Sequence, residues 1–169
     1  MATIAPEQAR PKPISADLYE RLLAYAAIIL FACVTVAVAR GASEWSRIPA
    51  IVWAHLATIM VALALTPVML LRRRGDARHR LLGRVWAGAM MLTAILSLFV
   101  RLSNHGRFSL IHILSVYTLV QVPILVWTAR THRVARHRRA VRAMVTGALL
   151  IAGFFTFPFG RLLGHWLFA

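Results

Sequence analysis

Long apolar runs alternate with short arginine-rich connections along the chain, and this alternation restricts the fold more than any other feature. Five runs approach the about 20 residues that an α-helix needs to cross a bilayer. They cover residues 22–39, 51–71, 81–102, 108–129 and 143–159. Lipid offers no hydrogen-bond partner to backbone amides and carbonyls. Apolar runs of this length therefore fold as helices, which make these hydrogen bonds within the segment. The sequence therefore predicts an all-α integral membrane protein with about five transmembrane helices.

Polar residues precede the first apolar run, which is also longer than the about 7–15 apolar residues of a signal-peptide core. We therefore predict a disordered cytoplasmic tail over residues 1–20 and a single transmembrane helical domain over residues 21–169. The final stretch, RLLGHWLFA, is too short to cross the membrane again. We expect it at the membrane interface, with Trp166 as an anchor.

The charge of the chain is strongly positive, with 20 Lys and Arg against 5 Asp and Glu and a net charge of +15. A basic chain can bind nucleic acid, but these basic residues are concentrated in connections between apolar runs. Residues 10–21, 72–80 and 130–142 hold three, five and six of them, all on one side if every run crosses. The positive-inside rule then predicts a bacterial inner-membrane protein with a cytoplasmic N-terminus. Anionic lipid is the expected partner of these loops, and no nucleic acid is expected.

An internal repeat relates the second and third runs to the fourth and fifth. The segment HLATIMVALALTPVMLL (55–71) aligns with HILSVYTLVQVPILVW (112–127), and the tetrapeptide ARHR occurs at 77–80 and again at 135–138. The predicted repeat halves cover about residues 51–103 and 108–160. Both begin on the same side of the membrane, which makes this a parallel repeat. The prediction is a four-helix bundle of two hairpins, with one extra N-terminal helix outside it.

The repeat brings four histidines into two matched pairs. His55 and His112 are 57 positions apart and lie equally deep below one face, while His79 and His137 are 58 positions apart at the opposite face. Low-spin haem iron takes two imidazoles from facing helices at one level. We therefore predict haem b as the cofactor and His55, His112, His79 and His137 as its binding residues, forming a transmembrane electron path.

Smaller residues near these histidines fit the same interpretation. Thr58 and Ser115 follow His55 and His112 by three positions, so they share the histidine face of each helix and are candidate supporting groups. Gly88 and Gly147 have no side chain, which leaves room for a flat macrocycle.

A structural interpretation of the same histidines stays open. An intramembrane imidazole can simply hydrogen-bond a neighbouring helix, although ionisable residues inside a membrane are often functional. This structural interpretation is favoured for His79 and His137, which are predicted in arginine-rich loops that the positive-inside rule alone explains.

Several stretches resemble a bacterial family of predicted multi-span membrane proteins known as domain of unknown function 2306. They are HRLLGRVWAGAMMLTA (79–94), FSLIHILSVYTL (108–119), HRRAV (137–141) and GFFTFPFGRLLG (153–164). This resemblance implies residence in a membrane and no particular activity. The layout of paired histidines on four spans also resembles the cytochrome b-561 type of di-haem membrane cytochrome. In that family the ligands lie within the helices, and no substrate-binding motif carries over to this chain. For an electron-transfer protein, a quinone or another redox partner is expected.

Common enzyme motifs are missing from the sequence, which contains no Gly-rich phosphate loop, no HExxH and no nucleotide fingerprint. The single cysteine, Cys33, excludes an intramolecular disulfide. The leading hypothesis is a b-type haem-binding transmembrane electron-transfer protein. A non-enzymatic membrane scaffold or regulatory protein and a small-molecule permease are the alternatives. The sequence leaves open whether the protein is an enzyme, and also its oligomeric state.

Overall fold

The computed structural model describes residues 15–100, 110–158 and 160–168, and all regular structure in these ranges is helical. The elements in chain order are α1 (Leu18–Arg40), a 3-10 helix (Gly41–Arg47), α2 (Ala50–Leu71), α3 (Ala77–Phe99), α4 (Leu110–Arg130), α5 (Val134–Met144), a π-helix (Val145–Ile151), α6 (Ala152–Phe154) and α7 (Leu162–Phe168). This architecture confirms the prediction of an all-α fold.

Four helical segments are long and apolar enough to cross a membrane, namely Leu18–Arg47, Ala50–Leu71, Ala77–Phe99 and His112–Arg130. They coincide with the first four predicted spans, and they make the chain consistent with a membrane protein. The fifth predicted span falls on α5, the π-helix and α6, which follow one another without interruption. Each of these three pieces is short, so a crossing by the fifth span stays a prediction.

The start of α1 differs from the predicted boundary of the N-terminal tail. Asp17 caps the helix, and its side chain accepts a hydrogen bond from the backbone amide of Glu20. The Glu20 carboxylate in turn accepts from the Asp17 amide, which completes a capping box. The predicted tail over residues 1–20 is therefore wrong at its end, because helix begins at Leu18. Residues 1–14 of that tail lie outside the described residues.

The α1 helix is part of the bundle and not a helix outside it, which corrects the predicted arrangement. It packs against α2 on one side and against the π-helix and α7 on the other. Three alanines on its buried face, Ala24, Ala27 and Ala37, have no exposed surface. Small side chains at these positions let the neighbouring helices approach closely. The order of packing around the bundle is thus α1, α2, α3, α4 and then α5 with the π-helix.

The two ends of the bundle differ in character. The arginine-rich end comprises the start of α1, the α2–α3 and α4–α5 turns, and the first turns of α3 and α5, which contain the two ARHR copies. The cap end comprises the 3-10 helix and α7. Trp166 of α7 is only 4% exposed, contacts Gly41 closely and donates a hydrogen bond from Nε1 to Glu44 at 3.0 Å. Trp166 is therefore a buried packing residue of the cap, and its predicted role as an interfacial anchor is wrong.

Candidate cofactor site: two histidine pairs

His55 lies on α2 with a defined hydrogen bond across the bundle. Its Nδ1 is 3.1 Å from the backbone carbonyl oxygen of Thr93 on α3. A carbonyl oxygen only accepts, so the proton of the neutral ring is assigned to Nδ1. The lone pair of His55 then resides on Nε2, which is the atom that a metal ion would take. A backbone carbonyl on the remote ring nitrogen is the usual way in which a ligating histidine is oriented.

His112 lies on α4, is only 6% exposed and lines the same cavity as His55. The cavity has a volume of about 750 Å³, within the range of about 300–1,000 Å³ that small-molecule and cofactor sites occupy. Side chains of every long helix contribute to its walls. The structure thus brings the first predicted histidine pair to the wall of one cavity inside the bundle.

Hydroxyl groups join α3 to both histidine-bearing helices beside this cavity. Thr93 donates to Thr58 of α2 with an oxygen-to-oxygen distance of 2.8 Å, and the Ser97 hydroxyl bonds that of Ser115 on α4. The predicted supporting groups Thr58 and Ser115 therefore contact partners one helical turn apart on α3. Sequence analysis missed Thr93 and Ser97. Their spacing of four on one helix face was the available signal.

The predicted glycine positions do not contribute to this cavity. A Cβ atom built on either Gly88 or Gly147 would meet nothing within 4 Å, so both positions face open space. Neither residue is among those that line the cavity of His55 and His112. There is open space beside Gly88 and Gly147, but this space is not part of the cavity that His55 and His112 line.

The second histidine pair lies on helices and not in loops, which corrects the expectation for His79 and His137. His79 is in the first turn of α3, where its backbone amide donates to the capping carboxylate of Asp76 at 2.6 Å. His137 is in the first turn of α5, and its amide donates to the carbonyl of Arg133 at 2.9 Å. Each ARHR copy therefore lies in the first turn of a helix, with His79 as the third residue of α3 and His137 as the fourth residue of α5.

His79 and His137 both lie at the arginine-rich end, in the first turns of α3 and α5. The Nδ1 atom of His137 is 3.1 Å from the carbonyl oxygen of Leu125, so its proton is assigned to Nδ1 and its lone pair to Nε2. The Nδ1 atom of His79 is buried and has no hydrogen-bond partner among the described residues. Burial and the nearby Arg74 guanidinium lower the pKa of His137, although its bond to Leu125 opposes them. The neutral imidazole, which is the form that binds metals, is therefore favoured at neutral pH.

A buried carboxylate lies beside this second pair and was missed by sequence analysis. Glu20 of α1 is 1% exposed and accepts hydrogen bonds from Arg74 and Arg138 at 2.6 Å each, and from Arg142 at 3.2 Å. Arg142 also pairs with Asp17. The cluster ties α1 to the α2–α3 turn and to α5, and it fixes Arg74 next to the two imidazoles. The local capping box with Asp17 gave no sign of this cluster, because the arginine partners of Glu20 are 54 to 122 positions away along the chain.

The donor set agrees with a cofactor that needs two protein ligands. Within the described ranges, no group of three or more His, Cys, Asp and Glu side chains could hold a metal ion. Zinc sites typically take three or four protein ligands, whereas a haem iron needs only axial ligands because the macrocycle supplies the rest. The described residues thus offer two imidazoles, from His55 and His112, at the wall of one largely apolar cavity.

Comparison with known proteins identifies no relative of this chain. No family model, no curated protein and no solved structure matches the chain. The resemblance to domain of unknown function 2306 and the layout likeness to cytochrome b-561 therefore stay predictions, and the function has to be argued from the residues themselves.

Proposed function

We propose that this protein binds b-type haem through paired histidines and transfers electrons across a membrane. The observation that carries the proposal is the cavity of about 750 Å³ that both His55 and His112 line. The two imidazoles come from different helices, α2 and α4, and these two residues would hold the cofactor. Haem, when bound there, would supply one-electron chemistry at an iron whose potential depends on these ligands and their surroundings.

The chain's own groups would prepare this site for the ligand. The bond from His55 Nδ1 to the Thr93 carbonyl orients the imidazole and increases the basicity of Nε2. Apolar residues such as Leu63, Met90 and Leu149 line the cavity and keep water away from it. A water-poor surrounding strengthens the electrostatic influence of nearby groups on a redox centre.

The second pair, His79 and His137, is proposed to hold a further haem at the arginine-rich end. The bond of His137 Nδ1 to the Leu125 carbonyl repeats the arrangement at His55. The orphaned Nδ1 atom of His79 is a buried nitrogen for which a metal ion would be a partner. Arg74, fixed by Glu20, would place positive charge near this centre and favour its reduced form.

The proposed orientation follows from the charges at the two ends. The arginine-rich end would face the cytoplasm of a bacterium, with the chain in the inner membrane, as the positive-inside rule requires. The arginines there would also contact anionic lipid headgroups. The electron donor and acceptor are proposed to be a quinone or another redox partner.

Removal of either first-pair histidine is the direct test of haem binding. The purified protein should show a Soret band that sharpens with dithionite, and His55→Ala or His112→Ala should remove most of the haem. Loss of a hydrogen-bond partner of a metal ligand costs about 10–100-fold in affinity, and loss of the ligand itself should cost more. Absorption spectra and pyridine haemochrome assays measure the effect.

The exposed His132, in the α4–α5 turn, provides the matched control for this test. His132→Ala should leave the spectrum of the wild type unchanged. A colourless wild-type protein from cells that are amply supplied with haem would contradict the proposal. The scaffold or regulatory role would then be favoured, or a permease role if liposomes containing the protein transport small molecules.

A separate prediction concerns the second pair. His137→Ala should reduce the haem bound per chain by about half, because only the site of His79 and His137 loses a ligand while the cavity of His55 and His112 stays intact. The stoichiometry of haem to protein, from the haemochrome assay and quantitative amino-acid analysis, is the measurement. An unchanged stoichiometry would mean that the second pair is structural.

A further inference from the structure

Arg161 occupies an unusual position at the cap end of the cavity. It immediately precedes α7, is half-buried and lines the same cavity as His55 and His112. No ion pair or side-chain hydrogen bond of Arg161 is found within residues 15–100, 110–158 and 160–168. The backbone carbonyl of Arg161 accepts a hydrogen bond from the His165 amide at the start of α7. This bond does not involve the guanidinium group.

The acidic residues of the described chain have other partners. Glu44, which lies at the same end, accepts from Trp166 Nε1 and is 3.8 Å from the His165 ring. Asp17 and Glu20 pair with arginines at the opposite end, and Asp76 caps α3 there. Among the described residues, no acidic side chain lines the cavity itself. A carboxylate for Arg161 is therefore not supplied from the described part of the chain.

A guanidinium beside an apolar cavity loses part of its hydration and gains most from a bound anion. Its planar donors match a carboxylate through two parallel hydrogen bonds. A ligand that satisfies both the cavity and this arginine needs an apolar body and an acidic group at one edge. Haem b has this composition, since an apolar ring carries two carboxylate side chains.

We infer that Arg161 binds a carboxylate of the haem that His55 and His112 hold, and so acts as an anchoring residue for the cofactor. This inference rests on the proposed function. It adds a second recognition element to the cavity, because the imidazoles bind the iron while Arg161 selects for the acidic edge of the ring. Porphyrins without free carboxylates should therefore bind more weakly than haem itself.

The test is a titration of the haem-depleted full-length protein in detergent with haem and, separately, with haem dimethyl ester, in which both carboxylates are blocked. Arg161→Gln should weaken the binding of haem by about 10–100-fold, the usual effect of a charge-assisted hydrogen bond. The same variant should bind the diester as the wild type does. Arg161→Lys should restore part of the affinity, since lysine retains the charge but not the planar fork.

Arg47→Gln is the matched control, because Arg47 is an exposed arginine at the same end and does not line the cavity. It should leave the affinity for haem unchanged. If wild type binds haem and diester equally, or if Arg161→Gln weakens both ligands alike, the inference is overturned while the proposed function stands. If the wild type binds neither ligand, the proposed function fails and this inference fails with it.

Discussion

Replacement of Glu20 by glutamine is expected to destabilise the protein more than any other single charge substitution at the arginine-rich end. Glu20 is 1% exposed and is shared by Arg74, Arg138 and Arg142. Without its charge, three guanidinium groups would be held close together, and among the described residues Asp17 would be the one carboxylate still paired with any of them. Removal of one partner from a buried ion pair costs about 3–5 kcal/mol. We expect about 3 kcal/mol for Glu20→Gln, because the arginines still reach solvent.

Unfolding in mixed detergent with increasing dodecyl sulfate, followed by circular dichroism, would measure the free energy of unfolding of this variant. Asp17→Asn is the matched control. It also removes one negative charge from the cluster, but asparagine still caps a helix well and Asp17 is exposed. Its effect should be far smaller. Equal stability of the two variants would mean that the cluster contributes through net charge alone and not through the buried carboxylate.

Addition of a single methyl group at Gly164 is expected to displace the cap. A Cβ atom on this residue would overlap the backbone carbonyl oxygen of Phe157, and no side-chain rotation can relieve that contact. Overpacking a protein interior costs about 1–3 kcal/mol of stability and sometimes more. Because the contact is with backbone, we expect the cost of Gly164→Ala to lie at the upper end of this range. The docking of α7 should be lost, and with it the buried environment of Trp166.

Trp166 fluorescence and its quenching by iodide would report this displacement, together with the thermal midpoint in detergent. Gly147→Ala is the matched control, because a Cβ atom there meets nothing within 4 Å. That substitution should be neutral or slightly stabilising, since alanine favours helix over glycine. Unchanged quenching in Gly164→Ala would show that α7 tolerates the methyl group and that its packing is looser than described. Since α7 also lines the cavity, a detached cap should release bound haem faster.

The long helices were largely predictable from the sequence. The starts and ends of α2, α3 and α4 lie within a few residues of the predicted spans, because a run of apolar residues determines helix formation locally. At the arginine-rich end, the helices include polar residues that lie beyond the apolar runs from which the spans were predicted. Alanine and arginine are good helix formers, and Asp76 supplies a cap, so both ARHR copies became the opening turns of helices.

The candidate site was predictable in part. Matching positions in the repeat correctly placed His55 and His112 on different helices, and the structure adds that both line one cavity. Their hydrogen-bond partners were not predictable. The carbonyl of Thr93 accepts from His55, and every residue has a backbone carbonyl, so no sequence pattern distinguishes the one that will be close.

The sequence by itself determined what depends on neighbouring residues, namely the helical segments and the concentration of arginine in their connections, and it also showed the nearly equal spacing of the histidine pairs. Only the tertiary structure decided that α1 packs within the bundle, that Glu20 meets arginines from two distant segments and that Trp166 is buried beneath the cap. The backbone hydrogen bonds of a helix in an apolar run are made within the run itself. Contacts between helices depend instead on how complementary surfaces pack, and that is a property of the whole bundle.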